Sequence, residues 1–528
     1  MKHIYFLFSL LISQQFAQAQ DLYLVELKPK ENTAAYFANP LQMLSQRAIN
    51  RRTNRNVSFD EKDVPINATY IQQIKNLNLS YIGASKWLNT IMVEIADDAV
   101  IDQLQNLSFV QNVQTMVRNP NAVRGNNALK TIARGNNQTE FNYGYSSKFI
   151  DQLNLSYLHQ LGFTGQNIMI GVIDSGFPGV NVNSQFSALR NEGRLVDTYN
   201  FVNNNSIYQM DSHGAMVLSN MAAKVNNTYV GTAPDASYAL YVSEDAVPET
   251  PKELMYWIQA AERADSVGVD VINTSLGYTT FDDPRYDYTY QDMNGTTTLI
   301  SKGATVAASR GIFVVNAMGN DGGNSWHYIS APADAADVFS IGANMVNFAP
   351  AGFSSYGPNS VGVLKPNVSA LGAGVPVVAP SGSYAEVSGT SFASPIMAGS
   401  VATLMSAFPN KSINELKLAI EQSAHLYPTY NTQLGYGVPD FSNIYNLLKT
   451  NEVNVLDFKV TPNPATSFIS VQSKNAINEV EIYSIIGSKL KSSKKSDQIN
   501  IQDLKAGVYL LKVIFKDQST QTTKLIIK

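Results

Sequence analysis

Four short stretches hold residue types that could cooperate in acyl transfer. Asp174 closes the apolar run Ile168 to Ile173 and is followed by Ser175-Gly176. His213 stands in Asp211-Ser212-His213-Gly214, just before Ala215-Met216-Val217-Leu218. Asn320 sits in Ala317-Met318-Gly319-Asn320-Asp321-Gly322, and Ser391 in Gly389-Thr390-Ser391-Phe392-Ala393-Ser394-Pro395. A serine hydroxyl attacks a carbonyl only if a neighbour takes its proton, and imidazole is suited to that. A carboxylate can hold the imidazole in the right tautomer, and a side-chain amide can donate to the oxyanion that develops. Each stretch also has a plainer reading: an aspartate after a strand and Gly-Asn-Asp-Gly are turn formers, and a serine before a helix is a cap. Beyond His3, the histidines are His159, His213, His327 and His425, so imidazole candidates are few. Cysteine is absent, which excludes thiolate nucleophiles, disulfides and cysteine-ligated metals.

These residues need a scaffold. Ile168 to Ile173 and Ile312 to Val315 are apolar without alternation, as in strands covered on both faces. Between them, Thr250-Pro251-Lys252-Glu253 predicts the start of an amphipathic helix reaching Ser266, with Thr250 as cap, Pro251 at the first helical position and Glu253 completing a capping box. Strand, helix and strand at this spacing predict an α/β domain, a parallel sheet between helical layers, with function at the carboxyl ends of the strands. Small residues before Ser391 allow a tight approach, and an apolar helix follows through Ile396, Met397, Val401 and Leu404. Pro395 is expected within its first turn, with the positive end of the helix dipole at Ser391.

The flanking regions differ in pattern. Residues 20–116 mix short alternating strands and helices around a polar basic stretch at Arg51 and Arg52, which predicts a small α+β unit. Residues 117–141 have linker composition, 142–449 hold the α/β domain, and 454–528 read as a small β-sandwich with a basic turn from Lys489 to Lys495. Met1-Lys2-His3, the apolar run Ile4 to Ile12 and Ala17-Gln18-Ala19 have the order of a secretory signal peptide over 1–19. A formal net charge of −4 in 528 residues points to neither nucleic acid nor an anionic membrane as partner. Asp282, Asp283, Asp287 and Asp292 fall in one acidic stretch, but their spacing matches no calcium loop, and a solvated insertion is expected.

In the order Asp, His, Ser, 39 and 178 residues apart, the motifs resemble those of the subtilisin-like (subtilase) serine peptidases. Asp174-Ser175-Gly176, His213-Gly214 and Gly389 to Pro395 match the family's aspartate, histidine and serine motifs, and Asn320 falls where the family keeps its oxyanion-hole asparagine. Ser275-Leu276-Gly277 resembles the segment lining the substrate cleft, and Ala331-Pro332-Ala333 one whose proline is often cis. Residues 21–116 resemble the inhibitory propeptide that assists folding and caps the cleft. The C-terminal region resembles the type A sorting domain of type IX secretion, on Pro462-Asn463-Pro464, Gly507-Val508-Tyr509 and Lys524 to Lys528.

The resemblance implies a secreted or cell-surface serine endopeptidase, acting as a monomer on proteins or peptides and inhibited by its own propeptide. It implies an acyl-enzyme on Ser391, His213 as general base and acid, Asp174 orienting His213, and an oxyanion hole from Asn320 and the Ser391 N–H. Ser275, Leu276 and Gly277 would bind substrate. The reaction would need no metal or other cofactor, although the family often carries structural calcium. One departure is Ala215-Met216, where the family has Thr and a further small residue. A catalytically silent surface binding protein on the same fold is the rival reading. A lipase or esterase needs Gly-x-Ser-x-Gly and the order Ser, acid, His, and this sequence has neither.

Overall fold

The computed structural model describes residues 20–122, 143–450, 458–485, 487–494, 498–517 and 519–528. The leader expected at 1–19 and most of the linker expected at 117–141 lie outside the described residues. The chain divides into two compact units, residues 1–447 and 448–528.

In the first unit, an N-terminal antiparallel sheet comprises β1 (Asp21–Leu27), β2 (Ser80–Ser85), β3 (Thr90–Ile95) and β4 (Val110–Thr115), in the order β2-β3-β1-β4. Helices α1 (Gln46–Asn54), α2 (Ala68–Lys75) and α3 (Ala99–Gln105) accompany it. The larger sheet is parallel and has seven strands: β5 (Met169–Asp174), β6 (Leu195–Asn200), β7 (Ser237–Val242), β8 (Val271–Thr274), β9 (Phe313–Ala317), β10 (Phe339–Asn344) and β11 (Val368–Leu371). Their order is β11-β10-β9-β8-β5-β7-β6. From β5 the chain passes to the edge strand β6, returns to β7 beside β5, and then runs outward on the other side through β8 to β11, so strand order reverses beside β5. A crevice opens at the carboxyl ends of the strands at such a reversal. Every residue of β5, β9 and β10 is buried, which is why the runs in β5 and β9 carry no polar alternation.

Helices α4 (His213–Ala222), α5 (Lys252–Val267), α6 (Leu299–Ser309) and α7 (Thr390–Ala407) flank this sheet, α4 packing with α7 and α5 with α6. The start of α5 corrects one expectation. Its cap residue is Pro251, and no side chain caps the helix. Thr250 supplies its N–H, which donates to Glu253 Oε2 at 3.0 Å, and its carbonyl, which accepts from the Glu253 N–H at 3.2 Å, while Glu253 Oε1 accepts from the Asp245 N–H at 3.0 Å. The Glu253 half of the expected capping box is therefore present, and the Thr250 half is not, because the Glu253 N–H goes to the Thr250 carbonyl rather than to its hydroxyl.

The N-terminal sheet and the parallel sheet share one core. Leu22, Trp87 and Met92 are buried with Met255, Trp257 and Ile258 of α5 and Ile300 of α6. The basic stretch is not solvated. Arg51 and Arg52 are only 5% and 1% exposed. Arg52 reaches Asp63 at 2.8 Å and Asp265 at 2.7 Å, and Arg51 pairs with Asp265 as well. Arg310 joins from the other side, 2.7 Å from Asp60 and 3.3 Å from Asp63. Burial alone would raise the Asp265 carboxyl, but Arg51 and Arg52 outweigh it and hold the group below its ordinary value. The buried Glu262 carboxylate of α5 meets the N-terminal sheet at a second place, accepting from Ser85 Oγ at 2.6 Å and from the Trp87 N–H at 3.0 Å.

The second unit is a β-sandwich. One sheet orders β12 (Phe458–Thr461), β13 (Phe468–Ser473) and β16 (Ile499–Asn500) as β12-β13-β16. The other orders β14 (Ile477–Ser484), β15 (Lys489–Ser493), β17 (Gly507–Phe515) and β18 (Thr520–Ile527) as β15-β14-β17-β18. Ile469, Ile482, Leu511, Val513 and Leu525 fill the space between. The expected basic turn at Lys489 is instead strand β15, whose Lys489 pairs with Glu481 on β14; residues 495–497 are outside the description.

Candidate active site

Asp174 is the last residue of β5 and is fully buried. His213 is the first residue of α4, and its Nδ1 lies 2.7 Å from Asp174 Oδ1. Gly214 permits this approach, since a Cβ there would lie 2.5 Å from the Gly176 carbonyl oxygen and 2.9 Å from Asp174 Cβ. Asp211, which the motif reading passed over, fixes the turn into the helix. Its Oδ1 accepts from the His213 N–H and from Ser175 Oγ, each at 2.9 Å, and Ser175 Oγ also reaches Asp174 Oδ1 at 3.3 Å. An aspartate two residues ahead of a helix start was the available signal. Burial alone would lower the His213 pKa, but the adjacent Asp174 charge and hydrogen bond outweigh it and raise the imidazole above its ordinary value. With Nδ1 engaged, Nε2 is the ring atom open to a proton.

Ser391 is the second residue of α7, so its N–H is among the first four that find no partner within a helix. The next side chain, Phe392, places its ring centroid 5.4 Å from that of His213. Pro395 corrects another expectation: it falls in the second turn of α7, inside the helix. It therefore removes the N–H that would bond to the Ser391 carbonyl. Ser275 Oγ donates to that carbonyl instead, at 2.8 Å. Behind it, Asn273 Nδ2 donates to Ser275 Oγ at 3.1 Å, and Ser394 Oγ donates to Asn273 Oδ1 at 2.8 Å. The sequence reading named Ser275 with Leu276 and Gly277 as cleft lining; the hydroxyl's bond under Ser391 and the part of Asn273 carry no motif.

Asn320 comes to the same helix start from the loop after β9. Its Oδ1 accepts from the Thr390 N–H at 2.8 Å and from Thr390 Oγ at 2.9 Å, so this hydrogen-bond network assigns the amide with Nδ2 as the remaining donor. Gly319 makes the turn with φ of 111°, and a Cβ there would lie 2.7 Å from Ser355 Oγ. Beyond Gly277, Tyr278 and Ala331 exchange both backbone hydrogen bonds, at 2.9 and 3.2 Å, and the Ala331-Pro332 bond is cis.

The other histidines sit elsewhere. His159 is buried between Tyr143 Oη at 2.9 Å and the Thr232 carbonyl at 3.2 Å, and burial pushes its pKa down to about 4. His327 bonds the Gly322 carbonyl at 3.0 Å and stacks on Tyr356, and His425 Nδ1 accepts from the Val438 N–H at 2.9 Å. The aspartates of the acidic stretch do not converge on a cation. Asp283 pairs with Arg285 at 2.7 Å, Asp287 Oδ1 accepts from the Phe281 N–H at 2.8 Å, and Asp292 pairs with Arg118. That donor set does not fit a calcium loop. Among the described residues, the carboxylates that converge are those of Glu244, Glu249 and Glu253, within 4.8 Å of one another; burial above all raises all three above the ordinary carboxylate range, with repulsion from Glu249 at Glu244, from Asp282 at Glu249, and from Glu244 and Glu249 at Glu253.

Comparison with known proteins gives the family. Residues 165–437, just over half of the chain, match the Subtilase family. Residues 22–132 match the peptidase S8 propeptide domain of Bacteroidota, and 459–528 a secretion system C-terminal sorting domain. Subtilisin DY of Bacillus licheniformis is 32% identical over 268 residues, covering 50% of this chain and 85% of that one. The subtilisin of Bacillus pumilus is 31% identical over 281 residues, covering 52% and 90%. The human membrane-bound transcription factor site-1 protease is 26% identical over 309 residues, or 56% of this chain and 27% of that protein. The sorting domain marks the chain for export by type IX secretion, to the medium or the cell surface. The chain belongs to the subtilase family and is a serine-type endopeptidase with an S8 propeptide.

Proposed function

We propose that this peptidase cleaves through an acyl-enzyme on Ser391. His213 takes the hydroxyl proton at Nε2 as the oxygen attacks the scissile carbonyl, then returns it to the leaving amine. Asp174 keeps Nδ1 protonated and stabilises the imidazolium that forms. The tetrahedral oxyanion receives hydrogen bonds from Asn320 Nδ2 and the Ser391 N–H, the latter at the positive end of α7. The edge of Ser275, Leu276 and Gly277 holds the substrate backbone beside Ser391. Water then attacks the acyl group by the same proton path, and no cofactor enters any step.

The observation that supports this reading most is the 2.7 Å contact between His213 and a fully buried Asp174 at the strand reversal, with the Ser391 helix packed against the same imidazole. Processed enzyme is expected to take a fluorophosphonate label on Ser391 and to cut casein; Ser391→Ala is expected to lose both while keeping its circular dichroism spectrum. Labelling at another residue, or casein cleavage by the variant, would refute the assignment. A correctly folded wild-type enzyme that neither labels nor cleaves would favour the silent binding protein.

A further inference from the structure

The acidic stretch of residues 279–298 has no part in the chemistry above, yet it grips the propeptide at both ends. Arg285 pairs with Asp21 at 2.8 Å, and Tyr286 Oη accepts from the Leu22 N–H at 3.0 Å. Where the propeptide leaves β4, the N–H groups of Arg118 and Asn119 donate to the Arg285 carbonyl at 2.7 and 2.9 Å. The Arg118 guanidinium pairs with Asp292 Oδ1 and stands 5.0 Å from the centre of the Tyr288 ring. Asp292 is set in place independently of its cation, because its other oxygen, Oδ2, accepts from the Thr289 N–H and Thr289 Oγ, each at 2.8 Å.

We propose that Asp292, Tyr288 and the Arg285 carbonyl form a subsite for a basic side chain of the substrate, upstream of the scissile bond, which Arg118 fills until the propeptide leaves. This rests on the peptidase reading. Three features carry it. The carboxylate is aimed by Thr289, so little ordering is lost on binding. A carboxylate beside an aromatic face selects a cation, and arginine above all. The seat is also tied to the cleft edge along the chain: the segment that leaves Gly277 runs through Tyr278, Phe281 and Tyr288, whose rings pack in sequence at 6.2 and 5.7 Å. Arg118 precedes the stretch joining propeptide to catalytic region, so a substrate bound in the same direction meets this seat before it meets Ser391.

The test uses the processed, active enzyme and peptides in which a single Arg is walked residue by residue upstream of the cut bond, against the same series with Gln. At one position kcat/KM for Arg is expected to exceed that for Gln about tenfold, the sum of a partly exposed ion pair and a cation–π contact. Added salt must lower that ratio in the wild type. Asp292→Asn is expected to bring it near one, Tyr288→Leu to lower it about threefold, and Asp292→Lys to favour Glu at the same position. Cleavage with no preference at any position, or a preference that survives Asp292→Asn, overturns the subsite and leaves the peptidase reading intact. Loss of all cleavage in both series overturns both.

Discussion

Two buried polar networks lie in the first unit and differ in chemistry. Beneath Ser391, the chain of Ser394, Asn273 and Ser275 is neutral and ends on a backbone carbonyl. Between the propeptide and α5, the chain of Arg310, Asp63, Arg52, Asp265 and Arg51 is fully charged. Neutral hydrogen bonds fix an atom at every working pH and are indifferent to salt. Buried charges repay their desolvation only while each partner is present, and they regain water when the surfaces part. The first suits a part that must keep its geometry, the second a joint that must be tight before it opens.

The largest effect that could undo this contrast is at the joint. Asp265→Ala removes the carboxylate partner of Arg51 and leaves Arg52 with Asp63 alone, and in the full chain carrying Ser391→Ala it is expected to cost about 3–5 kcal/mol in urea unfolding. In the enzyme freed of its propeptide the same change is expected to cost less than about 1 kcal/mol. Equal losses in both forms would make Asp265 an ordinary core residue. In the cleft, Asn320→Ala is expected to lower turnover about 100- to 1,000-fold, a magnitude borrowed from subtilisin itself. An unchanged turnover would remove Asn320 from the oxyanion hole. Ser275→Ala leaves the Ser391 carbonyl unsatisfied and is expected to reduce kcat roughly tenfold, by about 1–2 kcal/mol, with little change in KM or salt response. A KM effect alone would make Ser275 cleft lining only.

The smallest effect is on pH. His213 must be neutral to accept a proton, and its pKa is raised by Asp174, so activity rises with pH through a midpoint above the ordinary imidazole value of about 6.5. Ser275→Ala has no titrating group to disturb and is expected to leave that midpoint in place, whereas Asp174→Asn moves it down. A shared shift would mean that the two networks are coupled electrically.

Motif order made Asp174, His213, Ser391 and Asn320 readable as a set, because each sits where an element begins or ends and so carries glycine or a cap beside it. Asn273 and Ser394 left no such mark: a buried polar residue within a strand or helix disturbs no period. Arg51 and Arg52 read only as a polar basic stretch because Asp265, which pairs with both in the core, lies more than two hundred residues away. Pro395 was placed one turn early because sequence alone could not say that α7 begins at Thr390. The expected capping box at Thr250 is half formed, because the Glu253 N–H takes the Thr250 carbonyl and the cap position falls on Pro251.

The joint core of Leu22, Trp87 and Met92 with Met255, Trp257 and Ile258 has a consequence in time. A parallel sheet whose strands are stitched over two hundred residues is slow to assemble, and here one of its helical layers is completed by side chains from the propeptide. Removal of the propeptide would take away part of the mould after the casting has set. An enzyme freed of it is expected to keep its shape by the height of the barrier to unfolding, and not to refold once unfolded unless the propeptide is supplied again.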